Sequence, residues 1–284
     1  MRPHIVTSAV FSLTRLASTS ATSRATSTAL RSSNLALKSL AATCPQQRLF
    51  TSSAEQCHLV RPQSKTISSN TPPSSAPYSA MAGSKTDTLL ELVKARRTYY
   101  SLNKDLAISK DRVQEIVKEA LLHVPSSFNS QSNRVLVLFG AEHDKLWDLT
   151  TEILKPIVPE DAWQNTVNRM NWFKGAAGTV LFFDDQDVVN GMQAKFPLYS
   201  DKFPIWAQQS NAMLQHVIWT ALTSEGLGAN LQHYNPLIDN KVASEWGIPD
   251  SWKLNAQLVF GGIAGDAPPK DFLPLEQRYK VAGA

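Results

Sequence analysis

The stretch 204–225 constrains the fold most, because it predicts one long helix that is apolar around much of its circumference. Its apolar side chains recur at helical spacing and cover a wider face than a surface helix needs; they are Ala207, Met213, Leu214, Val217, Ile218, Ala221 and Leu222. A helix of this kind lies in the centre of a core or in a contact between subunits. Gly226 and Gly228 follow it, so we expect the chain to turn there with the positive φ that glycine permits.

Around that helix, shorter patterns predict helices and buried strands that do not alternate as βαβ units. Apolar periodicity predicts further helices over 86–98, from an N-cap at Ser109, and over 142–155, 159–173 and 237–246. Short apolar runs predict strands over 135–139, 179–183, 229–234 and 255–263. The acidic pair Asp184-Asp185 is interpreted as a turn after the second of these strands. Because helices outnumber strands in this order, the pattern favours an α+β domain over a doubly wound sheet.

The first 80 residues differ in composition from the rest of the chain. They hold eight basic residues and one acidic residue, Glu55, and 27 of the 80 are Ser or Thr. Arg-bearing, Ser-rich and acid-poor segments are typical of organellar targeting peptides. We therefore predict that 1–80 are a mitochondrial matrix leader that ends in a Ser/Pro-rich linker over 64–79. A cut after Phe50 and a second start at Met81, which gives a cytosolic form, are compatible with this pattern; a polar tail without a targeting role is the alternative.

The predicted folded domain, 81–284, excludes several classes of function. It holds 20 basic and 23 acidic residues, so the basic excess of the chain lies in the leader and does not indicate a nucleic-acid partner. Both cysteines, Cys44 and Cys57, precede the domain, which argues against a disulfide, a zinc-thiolate site or a cysteine nucleophile. The histidines lack metal-ligand spacing, and no apolar run approaches the roughly 18 residues of a membrane span. We expect neither a metal site nor a membrane span.

Two clusters of polar side chains precede the middle of the domain. Arg96-Arg97-Thr98 ends the first predicted helix, and two adjacent guanidiniums suit a phosphate because each donates in a bidentate fork. Cations at a helix C-terminus also complement its dipole, which is the alternative. The second cluster is a polar loop before a buried strand, where donors and acceptors can grip a heteroaromatic ring or simply form a turn; its polar side chains include Ser126, Ser127, Asn129 and Gln131.

Two further clusters follow the long helix. Its end carries glycines that allow a backbone to approach a flat ligand, or that merely cap the helix; the residues are Glu225, Gly226, Leu227 and Gly228. Lys270 and Arg278 lie in the Pro-rich C-terminal tail, where either can add a charge to a phosphate site or face solvent. The glycines at 261–265 precede Pro268-Pro269 rather than a helix, so they fail as a dinucleotide fingerprint.

In this order, the four clusters resemble those of the nitroreductase family over about 86–281. The resemblance implies an α+β fold with a central, mostly antiparallel sheet flanked by helices. It also implies an obligate homodimer, with the long helix at the interface and FMN bound between the subunits. Arg96, with Arg97 and Thr98 beside it, and Lys270 or Arg278 would contact the phosphate. The polar loop would contact FMN across the interface, and the backbone of 225–228 would lie against the isoalloxazine ring.

The resemblance also implies the reaction. NAD(P)H delivers a hydride to the flavin, and a nitroaromatic or quinone then takes the electrons, so the protein itself needs no nucleophile or metal. Aromatic residues before and within the start of the long helix are predicted to wall the open face of the ring; they are Phe196, Tyr199, Phe203 and Trp206. The sequence Arg96-Arg97-Thr98-Tyr99-Tyr100 is similar to that of a fungal and bacterial subgroup linked to oxidative stress.

Three other functions fit the same residues. One is a protein that binds FMN but acts in redox or lipid signalling with little turnover. Another is a related flavin reaction, such as reductive dehalogenation or flavin breakdown. The third is a non-catalytic helical interaction protein, which predicts a colourless preparation.

Overall fold

The computed structural model describes residues 84–284, in which seven α-helices flank one five-stranded sheet. The helices are α1 (Lys85–Ala95), α2 (Lys110–His123), α3 (Ala141–Leu154), α4 (Glu160–Lys174), α5 (Gln186–Lys195), α6 (Phe203–Ser224) and α7 (Asp239–Trp246). The strands are β1 (Leu102–Asn103), β2 (Asn133–Phe139), β3 (Gly178–Asp185), β4 (Leu227–Gln232) and β5 (Trp252–Ile263). The predictions for the leader, the cut after Phe50 and the start at Met81 lie outside the described residues.

The sheet is antiparallel throughout, as expected for the α+β class. Its main order is β2-β3-β5-β4, and β1 pairs with the last residues of β5 on the edge that β3 leaves open. All eight residues of β3 are buried, because side chains of alternate residues enter two different cores. Leu181 and Phe183 pack in the core beneath α3 and α4, while Val180 and Phe182 pack in the core beneath α2 and α6.

Helix α6 has one buried face and one exposed apolar face. Leu214, Ile218 and Leu222 are fully buried in the core that α6 shares with α2, and each such side chain contributes roughly 1.5–3 kcal/mol through burial. Met213 and Val217 are each 42% exposed on the other face. The prediction of a central helix is therefore confirmed. The apolar side chains on the other face of α6 stay exposed in the described part of one chain. No helix between residues 84 and 284 is both long and apolar enough to cross a bilayer.

The structure corrects three local predictions. Helix α1 ends at Ala95 rather than Thr98, because Arg96 already has an extended ψ of 104°. The pair Asp184-Asp185 does not form a turn: both residues belong to β3, and the Asp185 carboxylate accepts a hydrogen bond of 3.1 Å from the Asp187 backbone N–H at the start of α5. That helix had no clear apolar period in the sequence and was not predicted.

The glycines after α6 serve different purposes. Gly226 has a φ of 83° and turns the chain as predicted. Gly228 does not turn the chain, because it lies within β4. A Cβ atom there would lie 2.7 Å from Leu102 Cδ2 and 2.9 Å from Ile263 Cγ1, so close packing rather than positive φ requires a glycine.

Candidate functional site

Two sequence clusters meet where α1 ends and β4 begins; we call this the arginine cluster (Arg96, Arg97, Thr98, Trp219 and 226–228). Thr98 forms a parallel bridge with Ala229, and the Tyr99 backbone N–H donates to the Ala229 carbonyl at 3.0 Å. The Asn230 side-chain amide donates to the Tyr99 carbonyl at 2.8 Å. These bonds fix the segment after α1 beside the first residues of β4, which brings the arginine pair to the glycine strand.

The two arginines hold positive charge without a carboxylate. The Arg96 guanidinium carbon lies 4.5 Å from the centre of the Trp219 ring, and Arg97 donates to the carbonyl of Pro268. Within residues 84–284 neither arginine forms an ion pair. Burial lowers the pKa of Arg96 from its usual value and the neighbouring Arg97 lowers it further, yet a guanidinium remains charged at neutral pH. The pair is therefore a donor set for a dianion such as a phosphate.

Glu225, which precedes the glycines, does not neutralise this pair. Its carboxylate accepts from Arg112 Nη2 at 2.9 Å and from Arg112 Nε at 3.1 Å. The side chain is thereby held against α2. Leu227 is fully buried in the core beneath α6, so the backbone rather than the side chains of 225–228 is available to a ligand.

The C-terminal tail starts at the arginine cluster and then runs over the surface. Its first contact with the cluster is the Pro268 carbonyl that Arg97 binds. Lys270 and Arg278 are exposed, and the Lys270 ammonium lies 5.2 Å from the Phe272 ring. Neither cationic side chain forms a hydrogen bond or ion pair in the described part of the chain. Both side chains therefore keep their charge free of partners in the part of the chain that the structure describes.

The second site is the serine loop (residues 125–131), whose backbone is strained. Phe128, Asn129 and Gln131 have φ of 55°, 50° and 52°, a region that non-glycine residues other than Asn and Asp seldom adopt. Such a conformation costs on the order of 1–3 kcal/mol per residue and is found mostly at functional sites. The Ser126 hydroxyl stabilises it locally by accepting from the Gln131 backbone N–H at 2.9 Å.

Helix α6 holds the serine loop in place. The Ser210 hydroxyl donates to the Pro125 carbonyl at 2.8 Å and accepts from the Asn133 amide at 3.0 Å. Next to it, Asn211 donates to the buried Asp184 carboxylate at 3.0 Å. Burial raises the pKa of Asp184 above its usual value, and the hydrogen bond from Asn211 offsets only part of that rise. This buried network could not be predicted from sequence patterns, because its members are far apart in the chain.

The four aromatic residues predicted as a pocket do gather, and they gather around a fifth. Phe128 of the serine loop lies 4.7 Å from Phe196 and 5.6 Å from Phe203, measured between ring centres. Trp206 and Tyr199 lie 6.1 and 6.3 Å from the same ring. We call this set the aromatic cluster (Phe128, Phe196, Tyr199, Phe203 and Trp206). Sequence reasoning missed Phe128, although an aromatic residue inside a polar loop was a signal.

The arginine cluster and the serine loop lie towards opposite ends of α6. Trp206 and Trp219 mark the two places, and they are thirteen positions apart in α6. At 1.5 Å per residue this is about 20 Å along the helix axis. Within one chain the arginine cluster and the serine loop are therefore two separate groups of side chains.

The domain belongs to the α+β class. One long helix crosses its antiparallel sheet, with an arginine pair at one end of that helix and a polar loop near the other. The comparisons identify the family. Residues 93–262 match the family model described as the Nitroreductase family. HBN1 of Saccharomyces cerevisiae is 38% identical over 184 residues, which are 64% of this chain and 90% of HBN1. The chain therefore belongs to the nitroreductase family.

Two solved structures share this fold. Nitroreductase CinD from Lactococcus lactis in complex with 4-nitrophenol is 44% identical, with a TM-score of 0.63 over 68% of this chain and 99% of CinD. A nitroreductase with bound FMN from Desulfitobacterium hafniense matches 68% of this chain and 97% of its own, with a TM-score of 0.51 and 17% identity. At that identity the second comparison shows the fold alone.

Proposed function

We propose that this protein is an FMN-dependent oxidoreductase that oxidises NAD(P)H and reduces nitroaromatic or quinone-type acceptors. The observation that carries the proposal is the arginine cluster, in which two guanidiniums without carboxylate partners lie beside a glycine-containing strand. A relative supports the acceptor class, since CinD was solved with 4-nitrophenol, and the shared fold holds FMN in the Desulfitobacterium hafniense protein.

The donor set fits FMN. Arg96 and Arg97 carry the charge for a phosphate dianion, and the exposed Gly226 leaves the nearby backbone free of a side chain that would block a flat ring. The indole N–H of Trp219 is buried without a hydrogen-bond partner among the described residues, which is unusual for a buried donor. Lys270 or Arg278 of the tail would add a third cation to the phosphate.

The protein residues have restricted tasks, because bound FMN supplies the hydride transfer and electron transfer themselves. The arginine cluster binds the phosphate and orients the cofactor. The serine loop offers Ser127, Asn129 and Gln131 to the edge of the ring. The aromatic cluster forms an apolar wall that accepts flat acceptors and excludes water from the open face. None of these tasks needs a general acid or base.

We propose further that the complete site needs two copies of the chain, with the serine loop of one facing the arginine cluster of the other. The exposed apolar surface supports a homodimer, because large patches of this kind mark interfaces. Helix α1 has no buried residue. A groove of about 420 Å³ follows the exposed face of α6. Exposed apolar side chains lie on α1, on α6 and along the tail; they are Leu89, Leu90, Val93, Ile205, Met213, Val217, Phe272, Leu273, Leu275, Tyr279 and Val281.

Absorbance spectroscopy of the purified full chain tests the cofactor and the reaction together. We expect flavin bands after incubation with FMN, bleaching by NADH or NADPH without oxygen, and recovery of the bands on addition of 4-nitrophenol or a quinone. Protein that stays colourless in excess FMN contradicts the proposal. Yellow protein that neither nicotinamide bleaches would instead support the signalling alternative.

We also propose that residues 1–80 direct the chain to the mitochondrial matrix, on the strength of their basic, Ser-rich and acid-poor composition. A fluorescent reporter fused to these residues should enter mitochondria. Replacing Arg2, Arg15, Arg24 and Arg31 by Gln should leave the reporter in the cytosol. A chain that starts at Met81 should also stay in the cytosol. Import that is unchanged after all four replacements would contradict the proposal.

A further inference from the structure

Arg96 is held in an unusual way for a partly buried arginine. Its guanidinium carbon lies 4.5 Å from the centre of the Trp219 ring, within the range of a cation–π contact. The described residues offer Arg96 neither a carboxylate nor a side-chain hydrogen-bond acceptor. Packing between α1 and α6 therefore fixes this cation through an aromatic face alone.

The kind of support matters for an anion site. A carboxylate partner would occupy the N–H donors of the guanidinium and neutralise its charge. An indole ring in a cation–π contact carries no opposing charge and offers no lone-pair acceptor, so it leaves the charge and the N–H donors of the guanidinium available to an anion. The stack also restricts a side chain that otherwise carries about 2 kcal/mol of rotamer entropy. Trp219 can thus prepare Arg96 for an anion without competing with it.

Burial and repulsion make such support necessary. Arg96 is partly desolvated and lies next to Arg97, and both effects lower its pKa. Nothing else in the described part of the arginine cluster compensates for the two adjacent charges, because Glu225 is engaged by Arg112. The aromatic face of Trp219 is the group that contacts the guanidinium.

We propose that Trp219 is a positioning residue for the FMN phosphate, acting by stacking under Arg96 and so fixing the plane of its guanidinium. The inference rests on the proposed FMN function and adds a residue that holds one end of the cofactor. A residue with this role should affect binding of the phosphate group and not binding of the flavin ring. Riboflavin, which has the same ring and ribityl chain but no phosphate, is therefore the matched ligand.

Fluorescence titration of the flavin-free full chain with FMN and with riboflavin tests the proposal. Trp219→Leu should weaken FMN binding by about tenfold, the size expected of a partly desolvated cation–π contact. Riboflavin binding should stay within about twofold. Trp219→Phe, which keeps an aromatic face but removes the indole N–H, should retain most of the FMN affinity. Equal losses in the Leu and Phe variants would overturn stacking as the cause.

Arg96→Ala provides the second arm of the test. If Trp219 acts through Arg96, adding Trp219→Leu to Arg96→Ala should change the FMN affinity no further. Phe139→Leu is the matched control, because Lys110 lies 5.6 Å over the Phe139 ring in another cation–π contact. It should leave the preference for FMN over riboflavin unchanged. If Trp219→Leu does not fold, Trp219→Met replaces it in both arms.

The outcomes separate the two proposals. A wild-type chain that binds neither flavin contradicts the proposed function. A wild-type chain that prefers FMN, with a Trp219→Leu variant that keeps the same preference, overturns only the role of Trp219. A variant that loses both ligands equally also overturns it, since that result indicates a structural role.

Discussion

The arginine cluster and the serine loop lie towards opposite ends of α6, and they are built by different means. Backbone pairing with β4 forms the arginine cluster, whose guanidiniums have no carboxylate partner among residues 84–284. The serine loop depends on a strained backbone, with three non-glycine residues at positive φ. The arginine cluster therefore supplies charge and the serine loop supplies shape. The comparison teaches that a change in one half should affect the phosphate and a change in the other should affect the ring or the acceptor.

The largest effect should come from separating the two halves. Val217→Asp places a carboxylate on the exposed apolar face of α6, where burial against a second copy would strongly penalise the charge. We expect a monomer by light scattering and a loss of FMN affinity of more than about 100-fold, because in the proposed two-copy site one chain holds only half of the contacts. Ile157→Asp, at an exposed apolar residue after α3, is the matched control and should stay dimeric. A monomeric variant that still binds FMN tightly would refute the shared site.

Removing the charge from the arginine cluster should have the next largest effect. Arg96→Ala deletes a charge-assisted phosphate contact, so FMN should bind about 30- to 100-fold more weakly while riboflavin binding changes little. Titration of flavin fluorescence measures both constants. Lys94→Ala removes a charge of the same sign from the exposed side of α1 and should have no effect. Equal weakening of both flavins would show that Arg96 stabilises the fold rather than the phosphate.

Acid should destabilise the fold through His143, which belongs to neither the arginine cluster nor the serine loop. His143 is fully buried between Thr179, at 2.8 Å, and the Phe173 carbonyl, at 3.1 Å, and burial lowers its pKa from 6.5 to about 4. The unfolded chain therefore binds the proton more readily, so this stability is present above pH 6.5 and lost as pH falls towards 4. Between pH 7 and 5 the free energy of unfolding should fall by about 2 kcal/mol.

Urea unfolding at the two pH values measures this change. His143→Gln, which cannot take up a proton, should reduce the pH dependence and lower the stability at pH 7. If the wild-type chain releases FMN at pH 5 and a stable His143→Gln variant retains it, the release results from loss of the fold and not from a change in the arginine cluster. An unchanged pH dependence in the variant would show that another group is responsible.

The sequence predicted the parts of the fold that local patterns determine. Strand β3 was recognised because its apolar run enters two cores, and α2 because Ser109 caps it by accepting from the Arg112 backbone N–H at 3.1 Å. Helix α5 was missed, since Val188 and Val189 stand side by side and Gly191 follows, which obscures the helical period. The end of α1 was misplaced because the pairing of Thr98 with Ala229 is a tertiary contact.

In the candidate site, too, the sequence predicted local features but not tertiary contacts. Arg96 and Arg97, and the polar residues of the serine loop, are neighbours in the chain, so their chemistry was visible in the sequence. Trp219 was not, because it is one more apolar residue in an apolar helix, and only the packing of α1 on α6 brings it to Arg96. The contact of Arg97 with Pro268 joins segments 171 residues apart. Such contacts have no local signature.

The smallest effect should appear in the aromatic cluster and should not involve the phosphate. Phe128→Ala removes four ring contacts with its neighbours, and aromatic pairs contribute about 0.5–1.5 kcal/mol beyond their area. We expect KM for 4-nitrophenol or a quinone to rise by about three- to tenfold, while the affinity for FMN stays within about twofold. Phe128→Leu, which keeps the apolar volume without the ring, should have a KM between those of the wild-type chain and Phe128→Ala. If Phe128→Ala instead weakens FMN binding as strongly as Arg96→Ala does, the division into a charge half and a shape half is wrong, because the serine loop would then hold the cofactor rather than select the acceptor.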